Sequence, residues 1–210
     1  MGAKGGIPDS LSTPQKGAFN AWIRLKFVDG GSAVMRIPMP GKTMFPAEKI
    51  QREVAVMRFL ADKTSISLPL VLHSGAAEES PDGLGPFIIM EFIEHECDLV
   101  DALNTPDIPY EERPILDPCI SNERLHFIYG QMADIMLARC LFQRLAREGQ
   151  LSKYGNQGPF PLVNDDFRPA NVLSNAKFQV TGTVDWEFTY AGPCEFAYSA
   201  PAWLLLELPE

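Results

Sequence analysis

From Trp22 to Ile37 the chain can do little but form a β-hairpin. Trp22, Arg24 and Lys26 alternate with Ile23, Leu25 and Phe27, the period-two pattern of a strand with one face turned inward. Asp29-Gly30-Gly31 supplies the turn, and Ala33 to Ile37 resumes the apolar run. Pro38, Pro40 and Gly41 end the second strand, and Pro46 suits the first turn of a helix expected to run to about Asp62. On that helix Ile50, Val54, Met57 and Leu60 or Ala61 form the apolar stripe, and Glu53 falls on the same face. A carboxylate on a buried face needs a partner. Arg36, on the second strand of the hairpin, is the natural candidate. Such a pair also has a plainer reading, as a structural ion pair.

Further elements follow from pattern and punctuation. Residues 1–16, dominated by Gly, Ser, Pro and Lys, are expected to be a flexible lead-in without β character, so that order begins near Gly17. A short apolar segment at Leu68 to Leu72 and a Gly/Pro/Ser/Asp-rich loop from Gly75 to Gly85 precede Phe87 to Ile93, which has the signature of a buried strand. After a connector containing Pro106, Pro109, Pro114 and Pro118, Ser121 or Asn122 can cap a helix. Its stripe is Leu125, Ile128, Tyr129, Met132, Ile135 and Met136, continuing through Leu141 and Leu145 and stopping at Gly149. Two short strands, near Asn171 to Leu173 and Phe178 to Val184, bracket a turn at Ser174-Asn175-Ala176. Residues 201–210 read as the opening turns of an apolar helix cut short.

Charge and rare residues remove several classes of function. With 27 acidic and 18 basic residues the net charge is −9, the opposite of what a nucleic-acid backbone or an anionic membrane surface attracts. No nucleic-acid or membrane partner is expected. The first sixteen residues carry no continuous apolar run of a signal peptide and no window resembles a membrane span, so the expected setting is cytoplasmic. Cys97, Cys119, Cys140 and Cys194 are dispersed, as are His73, His95 and His126, which gives no support to a zinc site, a redox motif or a His-based triad.

The segment with the most chemistry in it is Leu162-Val-Asn-Asp-Asp-Phe-Arg-Pro-Ala-Asn-Val-Leu173, followed by Val180-Thr-Gly-Thr-Val-Asp-Trp-Glu187. Asp166 is followed five residues later by Asn171, and Asp185 closes an apolar strand. Phosphoryl transfer needs a carboxylate to orient the attacking hydroxyl and oxygen ligands to hold Mg²⁺ on the phosphates, and these three residue types in this order supply them. An Asp and an Asn satisfying backbone groups in a turn is the alternative for Asp166 and Asn171. A carboxylate at Asp185, beside Trp186, needs a partner or a metal in either case.

These motifs resemble the catalytic core of kinase-like phosphotransferases, most closely the aminoglycoside phosphotransferase family of small-molecule kinases. Asp-Phe-Arg-Pro-Ala-Asn-Val-Leu, Val-Asp-Trp-Glu-Phe-Thr-Tyr-Ala and Trp-Leu-Leu-Leu-Glu are similar to its fungal branch. The resemblance, over about residues 17–210, implies an α+β, protein-kinase-like bilobal fold. Its N-lobe (17–93) would be antiparallel strands plus one helix ending in a hinge, and its mainly helical C-lobe (94–210) would carry the catalytic loop. It further implies ATP and Mg²⁺. Asp166 becomes the catalytic Asp, Asn171 and Asp185 the metal ligands, and Arg168 stands where protein kinases keep a phosphate-facing Lys. Arg36 takes the position of the kinase strand Lys that pairs with a helix Glu, here Glu53, and the backbone of Glu91 and Ile93 becomes the adenine-pairing hinge, walled by Met90. For the loop that covers phosphates, only Gly17-Ala-Phe-Asn20 is available, with no strand expected ahead of it.

The departures shape the functional expectation. The family opens its catalytic motif with His where this chain has Asn164, a residue that can still hydrogen-bond backbone and hold the loop. Glu187 takes the place of the Gly in the protein-kinase Asp-Phe-Gly, and no Ala-Pro-Glu segment follows, which disfavours a protein kinase. The expected activity is Mg²⁺- and ATP-dependent phosphorylation of a hydroxyl on a small molecule of unknown identity. Few residues follow Asp185, so the C-lobe is read as truncated; the competing expectation is a catalytically impaired, kinase-like nucleotide-binding or interaction protein. His95, next to the hinge, reads most simply as an exposed loop residue, and Trp203 to Leu206 as unfinished core.

Overall fold

A computed structural model describes residues 6–109, 112–147 and 162–191, the stretch 137–147 by its backbone only. The chain divides into two compact units, residues 1–59 with 69–93 and residues 60–68 with 94–210. Among the described residues every strand pair is antiparallel, and the fold is mixed α+β. Among the same residues no helix is long and apolar enough to cross a membrane.

In the first unit, β1 (Pro8–Leu11) and β2 (Gln15–Lys16) both pair with β3 (Asn20–Phe27), which forms the expected hairpin with β4 (Ser32–Pro38). The Asp29 carboxylate accepts the Gly31 N–H at 3.1 Å, and Gly30 takes φ 83, the left-handed conformation the turn requires. After α1 (Pro46–Lys63), β5 (Val71–Gly75) and β6 (Phe87–Glu91) complete a sheet of order β1-β3-β4-β6-β5. Ile50, Val54, Met57 and Leu60 of α1 are buried, whereas Ala61 is exposed. Leu60 therefore completes the stripe.

The lead-in departs from expectation. Rather than lacking strand structure, residues 7–16 run along the edge of β3: Val28 N–H donates to Ile7 O at 3.0 Å, Ser12 N–H to Arg24 O at 2.8 Å, and Gly17 N–H to Asn20 O at 2.8 Å. Residues of β1 and β2 are exposed. What holds them is the row of main-chain groups on the edge of β3, which asks nothing of side-chain character. Gly17 to Phe19 is thus a turn between two paired strands.

In the second unit, β7 (Cys97–Asp98) and α2 (Leu99–Leu103) lie ahead of the Pro-rich connector, in a stretch where the sequence pattern gave no element. Asp98 caps α2, accepting from the N–H groups of Val100 at 2.8 Å and Asp101 at 3.2 Å. The helix α3 (Asn122–Arg147) is capped by Ser121, whose Oγ accepts the Arg124 N–H at 3.2 Å, and it buries Ile128, Met132 and Ile135 as the stripe requires. The expected stop at Gly149, Cys194 and the helical reading of residues 201–210 lie outside the described residues. The remaining elements are β8 (Leu162–Asn164), β9 (Val172–Ser174), β10 (Val180–Thr183) and β11 (Thr189–Ala191), paired in the orders β10-β9-β7 and β11-β8.

Candidate functional site

In the second unit β8 delivers the chain to the loop 165–168 through Asn164, which is buried at the strand end. Its Oδ1 accepts the Asp166 N–H at 2.9 Å, closing an Asx turn, and its Nδ2 donates to the Asp185 carbonyl at 3.5 Å. Asn164 thus holds main chain on both sides of the site, the task expected of it in place of His. Pro169 to Asn171 forms a 3₁₀ turn leading into β9. Asn171 is 7% exposed and donates through Nδ2 to the Asp166 carbonyl at 2.7 Å. The Asn171 carbonyl in turn accepts the Val184 N–H at 3.0 Å, which sets Asp185 immediately along from Asn171.

Asp185 itself has φ 62. Asp is among the few L residues that adopt this conformation at small cost, and here its surroundings fix it. Those surroundings are on both sides: Thr183 donates through N–H and Oγ to the Ser67 carbonyl at 2.9 and 3.0 Å, and Trp186 is 1% exposed with its ring 6.3 Å from that of Phe167. Asp166 and Asp185 are both half-buried.

The Arg168 Nε lies 3.2 Å from Asp166 Oδ1, but with Arg168 56% exposed this pair contributes little to stability and is easily exchanged for another anion. Next door, Tyr190 on β11 donates its hydroxyl to Asp165 Oδ1 at 3.1 Å. Partial desolvation, and then this hydrogen bond to a carboxylate, raise the Tyr190 phenol above its ordinary value. A three-residue strand is too short to show periodicity, so β11 did not stand out in the sequence, and Tyr190 appeared there only as part of a motif, without a role.

In the first unit Arg36 and Glu53 meet in a direct ion pair between Nη2 and Oε2, and both side chains are buried. Arg36 sits in β4, opposite Trp22 of β3 and Ile88 of β6, so its backbone is fixed on both sides by the sheet. Glu91 ends β6 and donates its N–H to the Leu70 carbonyl at 2.9 Å. Any base recognition by Glu91 therefore runs through its carbonyl. Ile93, half-buried, is the last residue of this unit, and Met90 is buried before it. His95 is exposed.

Among the described residues no group of three or more His, Cys, Asp or Glu side chains is arranged to hold a metal. What Asn171 and Asp185 offer is different: one amide oxygen and one carboxylate on adjoining backbone. Mg²⁺ suits such a sparse set, because it keeps waters and phosphate oxygens in most of its six positions. Since the Asn171 amide bonds Asp166 through Nδ2, its Oδ1 is not used in that bond. Neither a protein-family model nor a curated protein matches the chain.

Proposed function

We propose that the protein is an aminoglycoside-phosphotransferase-like kinase of protein-kinase-like bilobal fold, transferring the γ-phosphoryl group of ATP to a hydroxyl of a small molecule in the cytoplasm. The observation that carries this reading is the cluster of Asp166, Asn171 and Asp185, cross-tied through Asn164 and Asn171 so that two carboxylate-bearing residues and a buried amide are held in one unit.

In this reading Asp166 accepts the proton of the acceptor hydroxyl as its oxygen attacks the γ-phosphorus and ADP departs. Asn171 and Asp185 hold Mg²⁺, which when bound screens the charge on the phosphate oxygens. Arg36, steadied by Glu53, and Arg168 supply positive charge for the phosphates, and the main chain at Glu91 and Ile93 pairs with adenine. The hairpin turn Gly17 to Phe19 is the candidate for the phosphate-covering loop. A net charge of −9 favours a cationic acceptor.

The test combines calorimetry of ATP binding, with Mg²⁺ or with EDTA, and phosphate transfer to a panel of hydroxylated amines and sugars. Asp166→Ala should leave ATP affinity nearly unchanged and cut transfer by about 10² or more, as for a lost positioned base. Transfer that survives Asp166→Ala removes the catalytic assignment. Mg²⁺-dependent ATP binding without transfer to any compound favours a nucleotide-binding protein without turnover.

A further inference from the structure

The helix α3 grips the turn between β9 and β10 through one side chain. Gln131 donates from Nε2 to the Phe178 carbonyl at 2.8 Å and accepts at Oε1 from the Val180 N–H at 2.8 Å, so both ends of its amide are engaged on main chain flanking Gln179. Two helical turns earlier, Arg124 lies over the Phe178 ring, 4.3 Å from its centroid. Phe178 has φ 57, a conformation in which a bulky residue is an outlier.

That grip falls at a bulge. Val180 pairs with Ser174, but Gly182 pairs with Leu173 and Thr183 with Val172, leaving Thr181 as the extra residue. Beyond the bulge come Val184, bonded to the Asn171 carbonyl, and Asp185. A pairing displaced by one residue would turn each following side chain to the opposite face. Hydrophobic pattern does little to prevent this, because Val180-Thr-Gly-Thr183 has no apolar alternation.

We infer that Gln131 is a positioning residue: by tying the Phe178 carbonyl and the Val180 N–H to α3 it fixes where β10 enters its register with β9, ahead of the Thr181 bulge, and so sets Asp185 next to Asn171. Its functional half rests on the reading of Asn171 and Asp185 as metal ligands; the register does not. A neutral amide, with donor and acceptor on one rigid plane, meets both groups at once.

The experiment measures amide hydrogen exchange at Val184 and ATP affinity with Mg²⁺ and with EDTA, in the full chain. Gln131→Met should lower Val184 protection about tenfold, the scale of one or two lost hydrogen bonds, and reduce by a similar factor the affinity that Mg²⁺ adds. Affinity in EDTA should stay the same. Gln131→Glu keeps the acceptor for Val180 and should show the same losses to a smaller extent, which serves if Gln131→Met does not fold. Arg124→Met, which removes the ring contact on the same turn, should lower stability without a selective change at Val184. Unchanged Val184 protection, a loss no greater than in Arg124→Met, or a loss at Val184 with the Mg²⁺ increment intact would each overturn the inference. Wild-type protein with equal affinity in Mg²⁺ and EDTA would remove the metal reading, while Val184 exchange still decides the register.

Discussion

Asn171 and Asp166 are joined across the loop that separates them: the Asn171 amide donates to the Asp166 carbonyl at 2.7 Å from a nearly dry position. Six residues, Asp166 to Asn171, are thereby closed into a unit whose two ends carry the two groups assigned to hydroxyl and metal. Because the bond uses Nδ2, it can be removed while an oxygen donor is kept.

Asn171→Asp does this. The new carboxylate faces the Asp166 carbonyl, and the loss of a donor to a buried acceptor costs about 1–3 kcal/mol. Urea unfolding should register that loss in the midpoint with an unchanged slope. A midpoint equal to wild type would mean the bond contributes nothing to the fold.

The Arg36–Glu53 pair gives a second expectation. Breaking a buried pair from one side leaves an uncompensated charge, at about 3–5 kcal/mol, whereas replacing both partners with apolar residues of similar size is often neutral. Arg36→Met and Glu53→Leu should each destabilise strongly, and the double variant should recover most of the loss. Nucleotide affinity separates a structural from a functional pair: if Arg36 serves phosphates, the double variant stays folded and binds ATP weakly. Additive destabilisation in the double variant would mean the two side chains are not coupled in solution.

Asp185→Asn tests the metal assignment without disturbing the backbone, because Asn tolerates the left-handed region as readily as Asp. ATP affinity should fall by tenfold or more in Mg²⁺, on the order of one lost charged ligand, and hardly change in EDTA. Equal losses in both conditions would point to a structural carboxylate.

Sequence pattern showed those parts of the fold in which side chains carry the information. The Trp22–Ile37 hairpin, the stripe of α1 with Glu53 on it, the Ser121 cap and the turn between β9 and β10 all follow from alternation, capping chemistry and turn residues. What escaped was held by main chain. The strands β1 and β2 attach to an open sheet edge with exposed side chains, β7 and β11 are two and three residues long, and none of them carries a period. The same split runs through the site. Asp166, Asn171 and Asp185 stand out by residue type and spacing, while the tie from Asn164 to Asp185 spans 21 residues and the grip of Gln131 on Val180 spans 49. A lone Gln beside Met132 in a helix gives no local sign of which strand it holds.

The cap of α2 carries the clearest pH dependence. Burial raises Asp98 above its ordinary value, outweighing the bonds from the Asp101 and Val100 N–H groups, which work the other way. Since the folded value lies above the unfolded one, the contribution of Asp98 to stability is fully present below the ordinary carboxylate range and is lost as pH rises through the raised folded value. At neutral pH ionisation of the cap therefore costs stability relative to the protonated cap. Asp98→Asn keeps an oxygen acceptor for the two N–H groups and removes the charge, so it should be more stable than wild type at pH 7 and lose that advantage as pH falls toward 4. Asp98→Ala removes the cap itself and should lose about 1 kcal/mol that Asp98→Asn retains. Urea midpoints for the three proteins between pH 4 and pH 7 decide the sign. If Asp98→Asn instead becomes progressively less stable than wild type as pH rises, the ionised carboxylate at the start of α2 gains more from the helix N–H groups than burial takes away.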